Sequence, residues 1–321
     1  MVERGPVLVA DIGGTKIAAG VADPGGRLIT STQLPTPREM DAEQLWRTVE
    51  SLLVQVLDAA RIPDLSVLSG VGVGCGGPIK WPAGLVSPIN IGAWRDFPLR
   101  DRLTERFGGS GIPVRVHNDA ICLAVGEHWR GAGRNWRNVL GMVVSTGVGG
   151  GLILDNRLIE GSSGNAGHIG HVVVDPEDGP VCGCGGRGCL EAIARGPALA
   201  AWAQQEGWRP GQPGMTAKDL AADAAQGHPV ARAAMRRAGR ALGIAIASAT
   251  NLCDLEVVAV GGGLSQAGAL IFDPLQEFLM AHARLDFASQ VRVVPAALGQ
   301  SAGLLGAAAL ISAAERYWSG D

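Results

Sequence analysis

The strongest constraint on how this chain folds lies at its middle, where Cys182, Cys184 and Cys189 fall within eight positions. The run reads Cys182-Gly-Cys184-Gly-Gly-Arg-Gly-Cys189-Leu-Glu191, and Gly164-Asn-Ala-Gly-His168-Ile-Gly-His171 precedes it by a short loop. Three thiols and a histidine make a soft, closed ligand set of the kind structural zinc prefers. The glycines let the backbone turn tightly enough to aim several sulfurs at one point. A disulfide between Cys182 and Cys184 would close a very small, strained ring, and three cysteines cannot all pair. Three unrelated buried thiols are the other alternative, and the spacing is that of metal motifs. A metal knot reveals no activity by itself. It does fix the polar groups beside it, namely His168, His171 and Glu191.

On either side of the knot the chain repeats one pattern. Val7-Leu-Val-Ala10 is an apolar run suited to a buried strand, and it ends in Asp11-Ile-Gly13-Gly14-Thr15-Lys16. Val21 onward reads as a second strand, Pro24-Gly25-Gly26 as a hairpin turn and Arg27 to Leu34 as the returning strand. Such a turn presents backbone N–H groups and a hydroxyl to an anion without Cβ obstruction. A single one is equally an ordinary glycine hairpin, and it lacks the Gly-x₄-Gly-Lys opening of a P-loop. The pattern returns as Val139 to Val144, then Ser145-Thr146-Gly147-Val-Gly149-Gly150-Gly151, then Leu152 to Leu154. Two such hairpins predict two lobes of related topology, each offering a phosphate-binding turn to a shared cleft. A third glycine turn, Gly261-Gly262-Gly263, follows the strand predicted over Glu256 to Val260.

Between these turns, the strand Val114-Arg-Val116 ends in His117-Asn118-Asp119 and runs into a helix over Ala120 to Arg130. Asn and Asp at that position cap helices. They also suit a carboxylate general base beside an amide that pairs with a hydroxyl-rich ligand. The loops Gly74-Cys-Gly-Gly77-Pro78 and Ser87-Pro-Ile-Asn90 follow the strand Val67 to Val73, and loops there commonly carry ligand contacts. Helical periodicity marks Ala42 to Ala60, Leu99 to Phe107, Ala192 to Gln205, Met215 to Gln226, Val230 to Ser248, Pro274 to His282 and Ala302 to Tyr317.

A length of 321 residues fits two α/β lobes. A formal charge of −3 gives no reason to expect nucleic-acid or anionic-membrane binding. No apolar run is long enough for a membrane span, and Val7 opens a strand without a signal-peptide layout. Cys75, Cys122 and Cys253 sit in apolar surroundings, as reduced core cysteines do. A cytoplasmic protein is expected.

Five segments, taken in order, resemble the ROK family (repressors, open reading frames and sugar kinases). They are Asp11 to Lys16, Asn118-Asp119, Ser145 to Gly151, Gly167 to His171 and Cys182 to Glu191. The resemblance implies a two-lobed, actin-like ATPase (ribonuclease H-like) α/β fold with an inter-lobe cleft and an inserted structural zinc site. The expected division is an N-terminal lobe over 1–117, completed by the C-terminal helix 302–321, and a larger lobe over 118–301. It further implies an ATP- and magnesium-dependent kinase acting on the 6-hydroxyl of a hexose, either glucose or an amino-hexose such as N-acetylmannosamine.

Carried over residue by residue, Asp11, Gly13, Gly14, Thr15 and Lys16 would bind the ATP phosphates and help position magnesium. Thr146 and Gly147 would make the second phosphate contact, and Gly261, Gly262 and Gly263 would lie against the adenosine. Asp119 would be the catalytic base, and Gly77, Asn90, Asn118, His168, His171 and Glu191 would join it around the sugar. Zinc would be held by His171, Cys182, Cys184 and Cys189. The family's kinases commonly carry Glu where this chain has His168. Gly167-His-Ile-Gly-His171 is similar to N-acetylmannosamine kinases of the family, whereas Asn90-Ile-Gly-Ala-Trp94 is similar to its glucokinases. A homodimer or dimer of dimers is expected, with sugar and ATP as small-molecule partners. The alternatives are a sugar-responsive transcriptional regulator or a sugar-binding protein without catalysis.

Overall fold

The computed structural model describes residues 5–37, 39–109, 111–209 and 216–320. The chain forms two compact units, one of Met1–Asn135, Gly151–Ala166 and Gln300–Asp321, the other of Trp136–Gly150 and Gly167–Gly299.

The first unit opens with β1 (Val7–Ile12), β2 (Lys16–Ala22), β3 (Leu28–Pro35) and α1 (Ala42–Ala59). The second strand begins at Lys16 rather than near Val21. The glycine turn is short enough for Ile17 to pair with Ile12, so the small residues Ala18 and Ala19 are already in the ladder. Helix α1 starts in a capping box, with Asp41 accepting the Gln44 N–H at 2.8 Å and Gln44 Oε1 accepting the Asp41 N–H at 3.1 Å. Next come β4 (Gly70–Cys75) and a small sheet of β5 (Ile79–Lys80), β6 (Leu85–Val86) and β7 (Phe97–Pro98). Then follow α2 (Leu99–Phe107), β8 (Val114–Asn118) and α3 (Asp119–Arg130).

The main sheet runs β3-β2-β1-β4-β8. β1, β4 and β8 are parallel, with Ile12 opposite Cys75 and Cys75 opposite Asn118. Three strand ends, followed by Gly13, Gly76 and Asp119, therefore share one edge. Side chains alternate across the sheet. Leu8, Ala10 and Ile12 pack with α1 and α2, while Val7 and Val9 face the cluster that holds Ile121, Val125, Leu304 and Ala308. Asp11 has the parity of Val7 and Val9.

The second unit contains β9 (Val139–Val144), the start of β10 (Val148–Leu154), α4 (Leu190–Ala194), α5 (Gly196–Gln205), α6 (Ala217–Ala225) and α7 (Pro229–Cys253). It continues with β12 (Val257–Gly261), α8 (Ala269–His282) and β13 (Arg292–Pro295). The end of β10 and the two-residue β11 (Arg157–Leu158) count with the first unit, and the sheet order is β11-β10-β9-β12-β13. The helix expected over Ala192 to Gln205 is two helices. Arg195 takes an extended ψ of 144° ahead of Gly196 and Pro197, and a proline ring does not fit inside a continuing helix. Helix α8 begins five residues before the expected Pro274, which sits inside it. The expected start at Met215 lies outside the described residues.

The chain ends in the first unit as α9 (Ala302–Ser312) and α10 (Ala314–Tyr317), broken at Ala313 rather than continuous. α9 packs on α3 almost backbone to backbone. A Cβ on Gly306 would fall 1.6 Å from the Cys122 carbonyl oxygen, so only glycine fits. This packing carries α3 into the first unit, and the expected boundary at 117/118 falls inside it. Cys75 and Cys122 are buried free thiols, and Cys253 is only half-buried. No helix among the described residues is long and apolar enough to cross a membrane.

Candidate active site

In the first unit, the sheet register brings Asp11 and Asp119 into electrostatic contact. Burial, then the charge of Asp119, hold the Asp11 carboxyl at about 7 instead of 3.8, with Lys16 pulling the other way. Burial likewise raises Asp119, partly offset by the Ala120 N–H that its Oδ1 accepts at 2.8 Å. Asn118 caps α3 by accepting the same N–H at 3.0 Å. Its amide nitrogen lies beside Gly77, where a Cβ would be 2.8 Å away. The capping expected of Asn118-Asp119 is thus present, with both side chains accepting the Ala120 N–H.

The turn from Ile12 to Lys16 is closed by the Gly13 N–H donating to the Lys16 carbonyl at 3.0 Å. Thr36 fastens it from the end of β3. Its hydroxyl donates to the Gly13 carbonyl at 2.6 Å, and its N–H to the Thr15 carbonyl at 3.0 Å. Thr15 is exposed at the tip, and Lys16 Nζ donates to Gln300 Oε1. Asn90 lies against the turn, with its Cβ 2.4 Å from where a Cβ on Gly14 would stand. Gly303 touches Asp11 equally closely, at 2.3 Å from Oδ2 by the same measure. The sequence reading passed over Thr36, Gln300 and Gly303. Thr36 and Gln300 stand far from the turn in sequence, and Gly303 is one of many small residues in α9.

In the second unit, Ser145, Thr146 and Gly147 form the turn between β9 and β10, with Thr146 exposed. Glu191, at the start of α4, accepts the Val148 N–H at 2.8 Å, and a Cβ on Gly147 would meet its Oε2 at 2.9 Å. Glu191 therefore braces the glycine turn, a contact that residue spacing did not suggest. Gly262 follows β12 at φ 91°, and a Cβ there would press 2.4 Å from the Val144 carbonyl oxygen, which ties the third glycine turn to the end of β9. His168 and His171 stack, with ring centroids 5.4 Å apart and planes 8° from parallel. Burial and the neighbouring His171 lower the His168 pKa, against Glu191.

His171, Cys182, Cys184 and Cys189 converge, with all four ligand atoms within 4.8 Å of one another. Cys182 Sγ lies 3.7 Å from His171 Nδ1, and Cys184 Sγ lies 3.8 Å from Cys189 Sγ. A tetrahedron with zinc–sulfur bonds of about 2.3 Å has edges of about 3.8 Å. The donor set fits such an ion in chemistry and in size.

The ROK family model matches residues 7–314. The chain belongs to the ROK family. It is 34% identical to a glucokinase of Thermotoga maritima over 314 residues, covering 94% of this chain and 95% of the relative. It is 36% identical to an N-acetylmannosamine kinase of Yersinia pseudotuberculosis over 304 residues, covering 95% of this chain and 97% of the relative. A ROK family glucokinase from Streptomyces griseus, solved in complex with glucose and AMPPNP, matches with a TM-score of 0.81 at 35% identity. That match covers 96% of this chain and 99% of the other. The α/β fold with mixed sheets is that of ROK sugar kinases.

Proposed function

We propose that this ROK protein is an ATP-dependent kinase that transfers the γ-phosphoryl group to the 6-hydroxyl of a hexose, glucose or an amino-hexose such as N-acetylmannosamine. The observation that carries the reading is the pair of buried carboxylates, Asp11 and Asp119, both raised by burial and Asp11 also by the charge of Asp119, at one edge of a sheet whose first strand ends in a glycine turn. Phosphoryl transfer needs positioning, charge stabilisation and a carboxylate to accept the hydroxyl proton. Asp119 takes that proton as the hydroxyl oxygen bonds to phosphorus and the bond to the β-phosphate oxygen breaks, releasing ADP. Burial makes Asp119 a stronger base once ionised.

Gly13, Gly14, Thr15 and Lys16 hold phosphate oxygens, with Thr146 and Gly147, while Gly261, Gly262 and Gly263 lie against adenosine. Asp11 is a hard oxygen donor that burial and a like charge leave short of a cation, which suits magnesium shared with the phosphates. Magnesium, when bound, neutralises charge developing on the transferred group. Gly77, Asn90, Asn118, His168, His171 and Glu191 hold the sugar. Zinc on His171, Cys182, Cys184 and Cys189 is structural, since four protein ligands leave no open position for water. A cytoplasmic homo-oligomer completes the reading.

The test is a coupled ADP-release assay across glucose, mannose, N-acetylmannosamine, N-acetylglucosamine and 3-amino-3-deoxyglucose. Turnover of one or more is expected, and sugar binding without turnover would favour a sensor instead. The amino-hexose option rests on His168. An imidazole N–H can donate to an acetamido carbonyl, which a glutamate cannot do. His168→Glu should move the ranking of sugars by kcat/KM toward glucose, and an unmoved ranking removes His168 from sugar choice.

A further inference from the structure

Beside Asp119, but outside the groups assigned above, the first unit buries an imidazole and a carboxylate. His117 is the last residue but one of β8, just before Asn118-Asp119, and is 1% exposed, and Glu160, in the segment after β11, is 6% exposed. The His117 ring packs against two indoles that also pack on each other, with Trp81 and Trp318 centroids 5.8 Å apart. The Trp81 centroid is 6.2 Å away and 28° from parallel, and the Trp318 centroid is 6.2 Å away and edge-on at 89°.

His117 Nδ1 accepts the backbone N–H of Asn118 at 2.9 Å. That bond puts the lone pair on Nδ1 and the ring proton on Nε2. Burial lowers the His117 pKa to about 3, so the ring stays neutral. Nε2 has no hydrogen-bond partner among the described residues, and Glu160 Oε1 lies 4.0 Å from it. The carboxylate is itself gripped from the C-terminal segment. The Ser319 N–H donates to Oε1 at 3.3 Å and the Ser319 hydroxyl to Oε2. Packing alone would be served by an apolar ring. A buried N–H that makes no hydrogen bond, 4.0 Å from a buried carboxylate, is costly unless the orientation it sets is used.

We propose that His117 is a positioning residue for Asp119, oriented by Glu160 and the C-terminal Trp318-Ser319, and that it acts by fixing the Asn118 amide. The sequence of contacts is short. Ser319 holds Glu160, Glu160 faces Nε2–H, and Nδ1 holds the Asn118 N–H. Asn118 then caps α3 beside Asp119, on the Ala120 N–H that both side chains share. β8 is the edge strand of its sheet. Its terminal amide is fixed by the neighbouring imidazole, and the last residues of the chain cover that imidazole.

The inference rests on Asp119 being the base, so the test measures both. Steady-state kcat and KM for sugar and ATP are compared in the parent, Asp119→Asn, His117→Phe and His117→Asn, on the sugar turned over fastest. His117→Phe keeps an aromatic ring against the indoles but loses the acceptor. It should lower kcat about tenfold with both KM values within twofold, since a small misplacement of a reacting group costs that order of rate. His117→Asn loses the ring but offers Oδ1 to the same N–H, and should keep kcat within about threefold. Parental kcat in His117→Phe, or equal losses in the two variants, overturns the positioning role. Retained turnover in Asp119→Asn overturns the base reading instead. If His117→Phe does not fold, Glu160→Gln decides the point. A roughly threefold fall in kcat at constant KM supports the proposal, and an unchanged kcat overturns it.

Discussion

The two strand–turn–strand segments look alike in sequence but are fastened by different side chains, a neutral hydroxyl at one and a carboxylate at the other. The turn after β1 is tied through its carbonyls, by the hydroxyl and N–H of the neutral Thr36. The turn after β9 is tied by the carboxylate of Glu191, which accepts the Val148 N–H, and by the Gly196 N–H, which donates to the Ser145 carbonyl at 2.8 Å. Around the first turn, charge is left for chemistry, with the Asp11 carboxyl feeling the charges of both Asp119 and Lys16. At the second, the charge of Glu191 is engaged in holding the backbone. Glu191 also stands two residues after Cys189, so the metal stretch and the second turn share one anchor. A glycine-rich pattern therefore announces a turn without saying what makes it rigid, and rigidity decides whether a charged neighbour is free to react.

The contrast predicts variants of graded effect. Asp119→Asn should cost most, about 10²- to 10⁴-fold in kcat, with sugar affinity little changed. Retained turnover in the ADP-release assay would move the base elsewhere. Cys189→Ala comes next. The parent, purified without added zinc, should contain close to one zinc per chain by elemental analysis. The variant should lose it, melt several degrees lower and bind sugar more weakly. A parent free of zinc, or a variant that melts like it, would count against the metal knot.

Glu191→Ala should fall below that, raising KM for ATP and sugar together by about tenfold, because a charge-assisted hydrogen bond of roughly 1.5–3 kcal/mol is lost. A change in only one KM would separate the turn from the sugar wall.

The smallest effect concerns stability. Asp11 has a folded pKa of about 7 against 3.8 ordinarily, so the folded protein binds more protons between these values and this group's contribution weakens as pH rises. Asn carries no such charge. In magnesium-free buffer, the melting temperature of Asp11→Asn relative to the parent should therefore climb from about pH 4 to about pH 7 and then level off. A flat difference would mean that Asp11 is not held high.

Much of the site was legible along the chain. The thiol spacing announced a ligand set, and the four ligand atoms do converge. The strand-end Asn118-Asp119 and both glycine turns fall between elements, where local pattern suffices. What escaped is non-local. Gly303 against Asp11, Thr36 on the first turn and Glu191 on Val148 each join residues from separate elements. Local pattern also merges α4 with α5 and α9 with α10, because a single non-helical residue can break a helix within an otherwise helical pattern.

The sequence by itself determined most of the elements, though not where several begin or break, together with the metal-ligand inventory and the family, since each depends on residue types at fixed short spacing. The tertiary structure decided which groups share a charge. Only the parallel register of β1, β4 and β8 sets Asp11 and Asp119 at one edge, where burial raises both and the charge of Asp119 raises Asp11 further. Only the return of the C-terminal segment sets Ser319 on Glu160 beside His117. Electrostatic energy depends on distance and on exclusion of water, and neither is written in the order of residues.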